Sequence, residues 1–262
     1  MVSDARGFIE RMTWDEVARR IEHGAAAILP VGAAAKQHGF HLPLNTDRIQ
    51  AERLAAKLAE PINALIWPTV IYGYYPAFAE YAGSSSLSAS TFEAAVYEIS
   101  AEILGAGCQA LFVLNTGIST LTPVERALAR LDTAKLMHLR IHEGPRYLHA
   151  ARQLAEQDHG SHADELETSL MLALAPELVD MSRAEASPAR KQEVPGRLTP
   201  SNPNSPNYSR SGSYGDPTRA TPAKGEVLLA AMLGDLSEQI ATFIAERSAA
   251  TARSGSIRSV SR

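Results

Sequence analysis

The sequence predicts an α/β fold on a mainly parallel sheet, and three observations carry that prediction. Apolar runs of strand length recur at residues 25–31, 64–71, 110–114 and 135–141, as expected of strands buried on both faces. Between and after them lie segments of helical period, at 48–59, 90–105, 123–131 and 224–247. Polar residues gather just past the first run, where open α/β sheets bind their ligands. A chain of 262 residues supports one large domain or two small ones. The reading adopted is one domain over 1–250 and a disordered Ser/Arg-rich tail over 251–262.

In chain order, Thr13 caps a first helix that runs toward Glu22, with Glu16 completing a capping box. The strand 25–31 follows, and then a helix with Ile49, Leu54, Ala55 and Leu58 on one face. Pro68 interrupts the run 64–71, so its far half is expected to be strand end or loop. Residues 72–88 are aromatic, Gly/Ser-rich and aperiodic, long enough to be functional or to pack over the core. The helix 90–105 is expected to be capped by Ser90 or Thr91 and ended by Gly105 or Gly107. His142 ends the run 135–141, His138 reads as a core or edge histidine, and His149 as a helix-face residue. Glu167 falls in the first turn of a helix whose Leu170, Leu174 and Leu178 share a face. Residues 187–213 read as a long surface segment, a lid or a subunit contact.

Composition narrows the function classes. A net charge of −4 argues against a nucleic-acid surface. The N-terminal residues have no apolar signal region, and no stretch reads as long enough to span a bilayer, so no membrane partner is expected. The single cysteine, Cys108, precludes an internal disulfide and fits a cytoplasmic protein; it reads as a small buried residue.

The chemistry concentrates in two stretches. After Gly32 the chain presents Lys36, Gln37, His38, His41, Asn45 and Asp47 in quick succession, and two imidazoles with a carboxylate suit zinc, iron or manganese. The second stretch is HADELETSLML, residues 162–172.

HGFHLPLNTD, at 38–47, resembles the first signature of the creatininase family, E-Q-H-G-P-H-L-P-x-x-T-D. HADELETSLML resembles that family's H-A-G-E-x-E-T-S-x-M-L, and the turn at 214–221 its late G-D-P-x-x-A-T. The resemblance spans about residues 25–225 and implies a three-layer α/β/α sandwich, often a homohexamer. It also implies a metal-dependent amidohydrolase of small amides. Carried over, His38 and Asp47 match metal ligands, His162 an active-site histidine, and Glu167 a carboxylate near the metals.

Two positions depart from the family pattern. Lys36 stands where the family has a glutamate, and Gly117 where it has a histidine; Ser119 also replaces a glutamate that some members carry. The first two missing groups belong to the same one of the family's two metals. A lysine about 6 Å from a divalent cation is repelled by roughly 5 kcal/mol at an effective dielectric near 20. Lys36 therefore points away from the site or stands in for the lost cation. The reading taken is one metal per chain on His38, Asp47 and Glu167, with Lys36 in place of the other. His162 or Glu165 would move the proton, and Lys36 or Asn115 would meet the oxyanion. His41, Asn115 and Tyr75 are expected to contact the substrate. An altered member that binds a small ligand without turnover is the alternative.

Overall fold

The computed structural model describes residues 7–188 and 196–259, with side chains through residue 249. Its four strands, β1 (Ala27–Val31), β2 (Leu65–Ile66), β3 (Leu111–Asn115) and β4 (Leu136–Arg140), form one parallel sheet in the order β2-β1-β3-β4. The β1–β3 register runs from Ala27 opposite Leu111 to Val31 opposite Asn115, so both strands end at the same level. Pro68 limits β2 to two residues, and only Val70 returns to pair with Val31.

Alternation along the strands sorts the core into two layers. Ile28, Phe112, Leu114 and Leu139 face one side, against α2 (Thr46–Ile62), α5 (Pro145–Leu154), α6 (Glu165–Leu174) and α7 (Pro222–Ser259). Ala27, Leu29, Leu111 and Val113 face the other, against α3 (Ala89–Gly105) and α4 (Leu121–Leu128). Ile21 of α1 (Trp14–Glu22) joins that second layer. This is the expected three-layer α/β/α sandwich.

Several local expectations are met and several are corrected. Thr13 N–H donates to Glu16 Oε2 at 2.8 Å, as the capping box requires. Cys108 is buried, and burial pushes its thiol up to about 11, which leaves no nucleophile at neutral pH. The cap of α3 is Ser88, whose Oγ accepts from Thr91 N–H, rather than Ser90 or Thr91. Leu178 does not share the α6 face: the helix ends at Leu174, and Leu178 is exposed in a 3₁₀ turn.

The C-terminal helix carries two further differences. Residues Pro222–Ala249 of α7 are long and apolar enough to cross a membrane by length and composition, contrary to the sequence expectation. In the fold, Leu228, Met232, Leu236 and Ile240 bury their stripe in the core. The helix also runs through Ser259, past residue 250, where a disordered tail was expected. The segment is Ala/Ser/Arg-rich without proline, so nothing in it stops a helix already under way. Residues 189–195 of the proposed lid lie outside the described residues. The described part is packed down: Tyr81 donates to Ser209 O at 2.6 Å and Gln37 Nε2 to Gly212 O at 2.8 Å.

Candidate active site

Gly32 lets the site form at the end of β1. A Cβ there would lie 2.4 Å from the Asp47 carbonyl oxygen, because the first turn of α2 crosses directly over the strand end. That crossing brings Asp47 back beside Lys36 and His38, on the loop between β1 and α2. Lys36 Nζ lies 2.7 Å from Asp47 Oδ2, and His38 Nε2 lies 3.0 Å from Asp47 Oδ1. All three side chains are buried. Burial alone would raise the Asp47 carboxyl, but Lys36 and then His38 outweigh it and hold the group well below the usual carboxylate range.

The second half of the site comes from the stretch before α6. Ala163 adopts a left-handed backbone conformation at φ 46°, and its N–H donates to Glu167 Oε2 at 2.6 Å. This contact turns Glu167 toward His38 and His162, at 3.7 and 3.8 Å. The ring partners of the two histidines differ. His38 Nδ1 lies 2.9 Å from the Lys36 carbonyl oxygen and Nε2 3.0 Å from Asp47 Oδ1, so both of its nitrogens face acceptor oxygens. His162 Nε2 lies 2.8 Å from the Gln37 carbonyl oxygen, so Nε2 donates and Nδ1 is bare. His162 is held neutral by burial, with His38 and Lys36 adding to the effect. Ligand atoms of His38, His162 and Glu167 converge within 4.8 Å of one another. Two imidazoles and a carboxylate are residue types suited to a divalent metal.

The other metal position of the family pattern does not fit a cation. Between Lys36, Asp47, Tyr75, Gly117 and Thr120 lies a void of about 10 Å³, barely the space of one water. A Cβ on Gly117 would lie 2.7 Å from Thr120 Oγ1. That hydroxyl in turn lies 2.8 Å from both Asn115 Oδ1 and Gly117 O, which share its single O–H. Lysine on one side and threonine on the other close the position.

The cleft above these groups has a volume of about 430 Å³, with Lys36, Asp47, His162 and Glu167 at its polar end. Four expected site residues are not there, and each has a physical reason. Glu165 turns the other way: its carboxylate accepts from Glu156 and Gln157 N–H and pairs with Lys224 of α7, a structural post. His41 lies behind the site, bonded through Nε2 to Thr168 Oγ1 at 2.8 Å, and burial lowers it to about 4. Asn115 does not line this cleft: its side chain turns to Gly117 and Thr120, with Nδ2 donating to Gly117 O and Oδ1 accepting from Gly117 N–H and Thr120. Tyr75 is buried under the Lys36–Asp47 pair and donates to Ser85 O at 2.8 Å.

His142 was the residue missed. It sits just past β4, lines the cleft, and has Nδ1 3.3 Å from Tyr147 Oη. Burial lowers it, against the pull of Glu167. Its place at a strand's carboxyl end was the available signal. Asp164 also reaches the cleft; it caps α6 through Leu166 and Glu167 N–H, and burial raises it to about 6.

Residues 10–240 match the creatininase family, described as creatinine amidohydrolase. The chain belongs to the creatininase family. Creatinine amidohydrolase of Pseudomonas putida is 30% identical over 200 residues, 69% of this chain and 76% of that one. The mycofactocin precursor peptide peptidase of Mycolicibacterium smegmatis is 27% identical over 225 residues, 81% of this chain and 83% of that one. A crystal structure of creatininase superposes with a TM-score of 0.77 at 25% identity, covering 91% of this chain and 98% of that one. Related creatininase structures at 26% identity are described as manganese and Zn-Zn forms. Creatininase-family members are amidohydrolases, so this chain is a hydrolase of amide bonds by family.

Proposed function

We propose that this creatininase-family protein is a mononuclear metal-dependent amidohydrolase that cleaves a C–N bond in a small amide. The observation that carries the reading is the convergence of ligand atoms of His38, His162 and Glu167 within 4.8 Å of one another. Those three residues would hold the ion, and His38 Nε2, 3.0 Å from Asp47 Oδ1, would exchange that contact for the metal. This revises the expected set of His38, Asp47 and Glu167: Asp47 Oδ2 is already neutralised by Lys36. A divalent ion of the zinc, iron or manganese type supplies Lewis acidity toward a carbonyl and toward water when bound.

The chain's own groups divide the other tasks. Lys36 lines the cleft with its ammonium, and an ammonium has three N–H donors. One meets Asp47, so the others are free to stabilise charge developing on a carbonyl oxygen. His142, on the opposite wall, is placed to exchange a proton with water or the leaving nitrogen, taking the role first expected of Glu165. Tyr147 Oη sits against its Nδ1 and fixes the ring. His162 cannot serve as the proton carrier on this reading, because Nε2 is committed to Gln37 O and Nδ1 faces the ion.

The test is metal content per chain in protein purified without added metal or chelator. About one equivalent is expected for the native protein. His38→Asn is expected to abolish it, while Glu165→Gln keeps it and loses thermal stability, because the carboxylate that accepts from Glu156 and Gln157 N–H and pairs with Lys224 is gone. No metal, and no uptake on adding zinc, iron or manganese, overturns the hydrolase mechanism in favour of a small-ligand-binding protein.

A further inference from the structure

The polar end of the cleft is small, and most of the remaining wall is not polar at all. Phe78, Ile118, Leu148, Ala151 and Leu166 line it from four separate parts of the fold. Ile118 comes from the loop after β3, Leu148 from α5, and Phe78 from the aromatic segment 72–88. Ile118 is 55% exposed and Leu148 37% exposed, two of the few large apolar side chains that the described surface leaves in water. Solvent penalises such an arrangement, and a pair of them bordering one charged cleft marks a ligand surface. The same Ile118 and His142 also border an adjoining cavity of about 210 Å³, continued by Leu121 and Ile141. The apolar surface therefore extends away from the reacting groups in one direction, along the β3 and β4 ends of the sheet.

We propose that the substrate is an amide carrying an apolar chain or ring of roughly four to eight carbons, seated against Ile118, Leu148, Phe78 and Leu166. This rests on the hydrolase reading only in taking the apolar group to be part of an amide. A polar heterocycle of a few atoms would fill the charged end and leave the apolar wall wet. An aliphatic or aromatic substituent covers the wall and leaves the carbonyl beside Lys36 and the His38–Glu167 pair. The exposed lip residues then contribute to selection rather than to chemistry.

The test is calorimetric binding of two product-like series to the full chain as purified: acetate, butyrate, hexanoate and octanoate, then ethylamine, butylamine and hexylamine. The expected result is a Kd that falls about fourfold per methylene in one series, the value for transfer of a CH₂ out of water. Ile118→Asn and Leu148→Gln, both surface changes, are expected to flatten that slope while metal content and native size stay as in the parent. A flat chain-length dependence in both series overturns the proposal. So does a slope that both variants leave intact, or a loss of slope accompanied by a change of oligomeric size, which would make the lip a subunit contact. Metal content separates the two readings. A slope without metal sinks the hydrolase mechanism and keeps the apolar site; metal without a slope does the reverse.

Discussion

At Asp47 the chain supplies its own positive charge, and at Glu167 it does not. The Lys36 ammonium sits 2.7 Å from Asp47. The ion-pair partners of Glu167 among the described residues are two imidazoles, His38 and His162, at 3.7 and 3.8 Å. The two carboxylates belong to one cleft and obey the same electrostatics. The first is complete as folded, and the second, on the proposed reading, would be completed by a metal ion. A buried carboxylate requires a cation, and whether the chain encodes that cation or collects it decides whether the position is structural or reactive.

The largest effect expected from breaking this comparison is at Lys36. Lys36→Met removes the built-in cation and leaves Asp47 buried with only His38. The loss is expected to be roughly 3–5 kcal/mol, about a 10 °C fall in thermal midpoint for a domain of this size. Asp47→Asn on top of it should recover part of that loss, and strict additivity of the two changes would disprove the pairing.

A second comparison is by pH. His41, behind the Glu167 half, is neutral when folded with a pKa of about 4 against an ordinary 6.5. Its contribution is complete above pH 6.5 and is lost as the pH falls toward 4, because the unfolded chain binds the proton first. The loss is roughly 3 kcal/mol. Asp47, held low by Lys36, adds no loss in that window. Urea unfolding at pH 7 and pH 4.5 should show a drop in the native protein to which His138, His142 and His162, also lowered by burial, contribute, and His41→Gln should remove only the His41 share of roughly 2–3 kcal/mol.

The smallest effect is at the closed metal position. Gly117→Ala pushes a Cβ against Thr120 Oγ1 and is expected to destabilise by about 1 kcal/mol. The same change made in a Thr120→Ala background should be milder. Equal effects in both backgrounds would show that the hydroxyl does not close the space.

How far the sequence reaches is seen best in its paired residues. His38 and His41 look equivalent as His-x-x-His, yet one is in the site and the other behind it. Gly39, at φ 71°, and the His38–Leu42 bridge fold the loop so that the two rings diverge. Glu165 and Glu167 differ by two positions at a helix start, which places them on nearly opposite faces. One meets Lys224 on α7 and the other the cleft, and only the position of α7 distinguishes them. The strands and helices were legible because burial on two faces leaves an unmistakable period, and the signature stretches located the site. The direction of each side chain was not legible, since it depends on loop conformation, as at Ala163 for Glu167, and on distant partners such as Thr168 for His41 and Lys224 for Glu165.

The closed position also resists change one residue at a time. Restoring glutamate at residue 36 alone would place a third carboxylate beside Asp47 and Glu167 with nothing to balance it. Restoring histidine at residue 117 alone would collide with Thr120. Each single change is therefore penalised without the other, and Thr120 is what makes the one at residue 117 costly.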